Sequence, residues 1–260
     1  MEDLLNGYTP AEIRLLIDPK AARIELLKLT FRDLVLRGIL RLEGEGDDVD
    51  VTKGESFRPW PQKRHETVFT NMFLEITDMT IPVKKYFKAV YDESDSDRQY
   101  RILMTAHDLK KNGLVNDSAI DRMLDHVTLT KNGKDFVKRL RRLFNDYESR
   151  IGNQLDPQRV AGIVQPLSTH FLLLANIPMT IYPALVPLLD LSLPIEQRQL
   201  DSTSGSDGSG FDTFSSSDIE TMLDCDSSFA DACADGGGAD SDSGDSSDSG
   251  CSGCGGCGGD

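Results

Sequence analysis

The sequence predicts a mainly α-helical protein with two winged-helix-like lobes carrying short β-hairpins, followed by a disordered tail. Three observations carry that prediction. Apolar residues recur at helical spacing over most of residues 1–195, a period of two interrupts them just after Gly38, and Ser, Gly and Asp dominate from Asp201 onward.

The elements follow in order. Thr9 can cap a helix, Pro10 suits its first position, and Glu12 completes a Thr-x-x-Glu capping box ahead of Ile13, Leu16 and Ile17. Asp18-Pro19 marks a break. Ile24, Leu27, Phe31, Leu34 and Val35 then trace a second helix that stops at Gly38, where a positive φ closes a helix at least steric cost. Ile39, Leu40 and Leu42 begin a strand, "GEGDD" turns it and "VDVT" returns, which completes a winged-helix-like lobe over residues 1–58. A proline-flanked loop, "SFRPWPQKR", carries the only tryptophan, Trp60, and leads into a second lobe over 59–195.

In that lobe "HETVFTNMFLEIT" and "VKKYFKAVYDE" show helical spacing around Pro82, and "SDRQYRILMTAHDLKKNGLV" reads as one helix ended by Gly113. A short extended piece at 127–129 precedes Thr130, the cap of a long amphipathic helix with Val137, Leu140, Leu143, Phe144 and Tyr147 inward. Asp156 and Pro157 open another helix. Residues 160–189 contain no Lys, Arg, Asp or Glu, a length able to span a bilayer. Pro166, Pro178, Pro183 and Pro187, with Gln165, His170 and Asn176, would leave backbone groups that lipid cannot satisfy, so the stretch reads as a buried helix and an apolar, proline-rich arm.

Charge is partitioned sharply. All 28 Lys and Arg precede residue 201 and 14 of the 43 acidic residues follow it, so the body sums to −1 and the tail to −14. Residues 196–260 therefore read as a disordered acidic tail, interrupted by an island in which Phe211, Phe214, Ile219, Met222 and Leu223 lie among acids, as in segments that recruit a protein partner. The five cysteines, Cys225, Cys233, Cys251, Cys254 and Cys257, all lie in the tail, and the chain does not open on a basic region followed by an apolar stretch. The expected location is cytoplasmic, with peripheral membrane association. The Cys-x-x-Cys-x-x-Cys end could share a metal with Cys233 or Cys225, but its Gly-Gly spacers offer no framework to bury one; an unligated tail is the simpler reading, and no metal or cofactor is assigned.

The sharpest charge feature of the body is the run Lys131, Lys134, Lys138, Arg139, Arg141 and Arg142, in which Lys134, Lys138, Arg141 and Arg142 fall near one helix face. Clustered cations of this kind meet phosphates of lipid head groups or nucleic acid. The competing reading is an ordinary solvated face balanced by Asp135, Asp146 and Glu148. Nucleic acid is the less favoured ligand, because the body is neutral and the acidic tail would compete for the patch. His65, His107, His126 and His170 are scattered, Asp121 and Asp125 read as a solvated face, and neither Gly-x-Ser-x-Gly nor Gly-x-x-x-x-Gly-Lys occurs. No catalytic residue is assigned.

"DLVLRGILRLEGE", "KKNGLV", "LTKNGKDFVKRLRRLF" and "DPQRVAGIV" with the following "FLLL" resemble, in order and rough spacing, the Golgi phosphoprotein 3 family over residues 9–175. The resemblance implies a mainly helical fold that lies on a membrane surface and binds a phosphoinositide head group in a basic pocket. It also implies that Arg98 and Arg101, which repeat that family's arginine pair, belong to the pocket; the family's pocket tryptophan falls near Asp18 and its nearby arginine near Lys28, where the chain differs. The tail has no counterpart in that family, and its "GCSGCGGCGG" end resembles Gly/Cys-rich endings of some bacterial proteins. The expected function is a non-catalytic adaptor that binds anionic lipid through Arg98, Arg101, Lys134, Lys138, Arg141 and Arg142, aided by the apolar arm at 171–189. The alternative is a winged-helix regulator that binds protein or nucleic acid and recruits a partner through its tail.

Overall fold

The capping box at Thr9 forms as its residues dictate. The Thr9 hydroxyl accepts from the Glu12 N–H at 3.2 Å, and the Glu12 carboxylate accepts from the Thr9 N–H at 2.8 Å. They start α1 (Pro10–Ile17), which packs on α2 (Arg23–Leu36); Ile13 and Leu16 of the first and Leu26 and Leu27 of the second are fully buried. Gly38 ends α2 at φ 65°, and the chain reverses into β1 (Leu40–Glu43). β1 pairs antiparallel with β2 (Asp50–Lys53), Leu42 opposite Val51, with Leu40 and Leu42 inward and Arg41 and Glu43 outward. A third strand, β3 (Ile81–Pro82), joins β2 through Val51 and Ile81. Pro82 can stand there because β3 is an edge strand.

The computed structural model describes residues 4–44, 48–59, 63–74, 79–116, 126–189, 191, 221–222 and 229. Trp60, Asp121, Asp125, Phe211, Phe214, Ile219, Leu223 and the five cysteines lie outside the described residues.

After β2 come α3 (Thr67–Thr70), a short turn of helix, and α4 (Val83–Glu93). Phe31 meets Phe87 edge-on at 4.9 Å, Tyr86 stacks obliquely on Phe73 at 5.8 Å, and the buried Tyr86 hydroxyl donates to the Phe69 carbonyl at 2.9 Å. The stretch expected as one helix up to Gly113 is two, α5 (Asp97–Thr105) and α6 (Asp108–Lys111). His107, at φ −124° and ψ −86°, leaves the helical region and breaks it, and Gly113 closes α6 at φ 64°. Val115 then bridges Leu129, the predicted extended piece, and hands the chain to α7 (Lys131–Ile151) and α8 (Pro157–Val164).

The apolar arm packs on the body instead of projecting from it. Short turns from Gln165 lead to α9 (Tyr182–Leu185), and Phe171, Leu174, Ile177, Tyr182, Leu185 and Val186 are buried. This corrects the expectation that the arm assists a membrane contact: its apolar side chains are already spent on the core, although Leu188 remains 45% exposed. Among the described residues no helix is long and apolar enough to cross a membrane. Among the described residues the buried apolar side chains belong to one cluster that runs from Leu5 to Leu191 and takes in Met222 and Phe229.

Met222, expected to recruit a protein partner, is instead taken up by its own body. Met222 is 1% exposed, and Phe229, also 1% exposed, lies against Phe87 with ring centroids 4.5 Å apart. An aromatic ring gains more by leaving water for an apolar groove of its own chain than an average Ser/Gly/Asp composition conveys.

Candidate anion-binding face and the charge network behind it

α7 is placed by its first turn. The Thr130 hydroxyl accepts from the Gly133 N–H at 3.0 Å, as expected of the cap, and donates to the Gly113 carbonyl; the Thr130 N–H donates to the Leu114 carbonyl at 3.1 Å. Gly133 lies so close that a Cβ would stand 2.0 Å from that carbonyl oxygen. Phe136, Val137, Leu140, Leu143, Phe144, Tyr147 and Ile151 then face α1 and α8, with Tyr8 against the Phe136 ring at 5.5 Å. The opposite face carries Lys131, Lys134, Lys138 and Arg142, all exposed. At 100° per residue these four fall within an arc of about 80°, along about 16 Å of helix.

Their surroundings decide between an anion-binding face and a neutralised one. Asp146 is engaged with Arg150 at 4.0 Å, and Glu148 accepts from the Ala175 N–H at 3.0 Å. Asp135 pairs with none of the four. Among the described residues no carboxylate neutralises Lys131, Lys134, Lys138 or Arg142. Arg139 lies over the Phe136 ring at 5.7 Å, and Arg141, though exposed, donates to the Ile17 carbonyl at 3.1 Å, which ties α7 to the end of α1. Lys131, part of the basic run but not of the expected face, lies exposed on the same side of α7.

Arg101 does not. It is 7% exposed, and its guanidinium donates to the Ala21 carbonyl at 2.9 Å, the Lys20 carbonyl at 3.3 Å and the Asp97 carboxylate at 3.2 Å. Its positive charge is consumed in fastening α5 to the entry of α2, so the expectation that it binds lipid is withdrawn. Arg98, on the same helix, is exposed but already has an interaction partner. The neighbouring Arg23 works like Arg101: it donates to the Asp95 carbonyl, pairs with Asp97 at 3.6 Å and lies 3.8 Å over the Tyr91 ring.

A second charge cluster is buried. Arg37 pairs with Asp33 at 3.0 Å and with Glu66, whose side chains are 2% and 1% exposed. Glu66 also accepts from the Lys63 N–H, and the Lys63 ammonium meets Glu12 at 3.2 Å, Asp108 and the Gly7 carbonyl. Burial alone would lower the Arg37 pKa, but Asp33 and Glu66 more than reverse this and raise it. Burial pushes the Glu12 carboxyl up to about 7 against the pull of Lys63 and the Thr9 N–H. His65, whose Nε2 lies 3.3 Å from the Thr9 hydroxyl, is pushed down to about 3, first by burial and then by Lys63 and Arg37. The network joins α1, α2, α6 and the turn at Lys63–Glu66; Asp33, Glu12 and Glu66 lie inside it, while Asp108 closes it at the surface. Among the described residues no group of three or more His, Cys, Asp or Glu is arranged to hold a metal ion.

Comparison with protein-family models, curated proteins and solved structures finds no match. The functional reading therefore rests on the geometry of this chain.

The buried His65 makes a pH prediction. Its folded pKa lies below the unfolded value of 6.5, so its contribution to stability is present above pH 6.5 and is lost as pH falls toward 3. Between pH 7 and pH 4.5 the wild-type chain should lose about 2–3 kcal/mol more unfolding free energy than His65→Gln, which keeps a polar group beside Thr9 but does not titrate. Urea unfolding at the two pH values measures this, and equal losses would show that His65 is hydrated in the folded state.

Proposed function

We propose that the protein is a non-catalytic adaptor that associates peripherally with an anionic membrane surface through the exposed face of α7. One observation carries this reading: Lys131, Lys134, Lys138 and Arg142 share a helix face and lack a carboxylate partner among the described residues, while the helix itself is fixed to the body by seven buried apolar side chains. Each such cation contributes about 1 kcal/mol near an anionic leaflet, so four give a weak, salt-sensitive attachment suited to peripheral association. The resemblance of residues 9–175 to Golgi phosphoprotein 3 proteins points in the same direction, with the difference that the cationic face lies on α7 and excludes Arg101.

Lys138→Gln combined with Arg142→Gln should weaken binding to phosphatidylserine vesicles by about 2 kcal/mol, roughly 30-fold, with the unfolding midpoint unchanged because both side chains end in solvent. Arg141 is left intact in that variant, since it holds the Ile17 carbonyl. Vesicle co-sedimentation tests the point. Undiminished binding would remove α7 from the account, and a strong shift of duplex DNA by the wild-type chain, with no vesicle binding, would favour the nucleic-acid reading.

A further inference from the structure

The same face has a candidate ligand within its own chain. Residues 201–260 contain 14 acidic residues and no Lys or Arg, whereas the described part of α7 presents four cations without a carboxylate partner. The tail is not simply attached at residue 200. Met222 and Phe229 are buried against the body, Phe229 on the Phe87 ring of α4 at 4.5 Å. Residues 230–260 thus depart from a fixed point on the folded surface and carry seven aspartates, Asp231, Asp235, Asp240, Asp242, Asp245, Asp248 and Asp260.

We infer that residues 230–260 occupy the Lys131, Lys134, Lys138 and Arg142 face in cis and must be displaced before an external anionic surface can bind. Reach permits this from any anchor point. A body of about 190 residues is about 40 Å across, about 60 Å around half its girth, and the 19 residues from Phe229 to Asp248 span at most about 65 Å. The tether makes the encounter intramolecular, and a face that attracts phosphates through charge density attracts a run of aspartates by the same force. The membrane competes at a disadvantage until its own charge density exceeds that of the tail. The regulatory role rests on the membrane reading above; the contact between tail and helix does not.

The test uses the full chain. With Cys225, Cys233, Cys254 and Cys257 changed to Ser and a nitroxide on Cys251, the amide signals of Lys131, Lys134, Lys138 and Arg142 should broaden at about 20 mM salt and recover at about 0.5 M. Replacing Asp235, Asp240, Asp242, Asp245 and Asp248 by Asn should remove the broadening, and should strengthen binding to phosphatidylserine vesicles on the order of tenfold. Absent broadening, or broadening that persists with the Asn tail, overturns the inference even if vesicles bind. Broadening without vesicle binding by either chain leaves the cis contact standing and removes the membrane reading instead. A Phe229→Ala chain that remains folded should show weaker broadening, because the tail then starts from farther along its length.

Discussion

Arg37→Met should destabilise the fold by about 3–5 kcal/mol at pH 7, because it strands the Asp33 and Glu66 carboxylates, each at most 2% exposed, with no cation between them. The loss should have a distinctive pH dependence. Without Arg37 the Glu66 carboxyl is held still further above its unfolded pKa by burial, so the folded state binds more protons and the variant recovers stability as pH falls, while the loss is largest at high pH. Glu66 already leans that way in the intact protein: burial raises its pKa despite Arg37. The triple variant Asp33→Leu, Arg37→Met and Glu66→Gln removes the charges together and keeps an acceptor for the Lys63 N–H, so it should regain at least half of the loss. Guanidinium unfolding followed by far-ultraviolet circular dichroism gives all three values. If Arg37→Met costs under about 1 kcal/mol, the three groups are hydrated and the network is not a structural junction.

Gly133→Ala should be nearly as damaging, with the opposite sign from the one helix propensity predicts. An exposed helical glycine replaced by alanine gains about 1 kcal/mol. At position 133 the new Cβ would fall 2.0 Å from the Leu114 carbonyl oxygen, which is backbone and is itself held by the Thr130 N–H at 3.1 Å. Neither side can yield without breaking the Thr130 cap or the bridge between Val115 and Leu129. A loss of roughly 3 kcal/mol follows. Because the same turn sets the angle at which α7 leaves the sheet bridge, the variant should also lose vesicle binding beyond what its unfolded fraction explains. A stabilised Gly133→Ala would mean that α7 enters the body differently, and the cationic face would have to be placed anew.

These two sites mark the boundary of what the sequence discloses. Thr9, Pro10 and Glu12 form the capping box they spell, Thr130 caps α7, and Gly38 takes a positive φ, because each depends on neighbours within four residues. The inward residues of α7 obey their period for the same reason. Long-range pairings escape such reading. Arg101 differs from Lys138 only in what lies opposite it, the carbonyls of Lys20 and Ala21 eighty residues earlier, and spacing along α5 carries no trace of that. The Arg37 network likewise brings together residues 29 apart in the chain. The spacing on either side of Pro82 predicts only helices, yet the open edge of β2 draws Ile81 and Pro82 into a strand. Composition averaged over the tail conceals Phe229, and the island around Met222 reads as a partner's ligand, since a buried side chain needs only a groove on its own body and not an apolar segment.

Attachment of this chain to anionic membranes through the exposed cationic face of α7 requires that binding follow lipid charge and salt. Co-sedimentation of the full-length protein with vesicles of pure phosphatidylcholine and with vesicles containing about 30% phosphatidylserine, each at about 50 and 500 mM salt, tests it most directly. Binding is expected only to the phosphatidylserine vesicles at low salt, strengthened when the tail aspartates are neutralised. Equal binding to both lipid compositions, or none in any condition even with the neutralised tail, would contradict it.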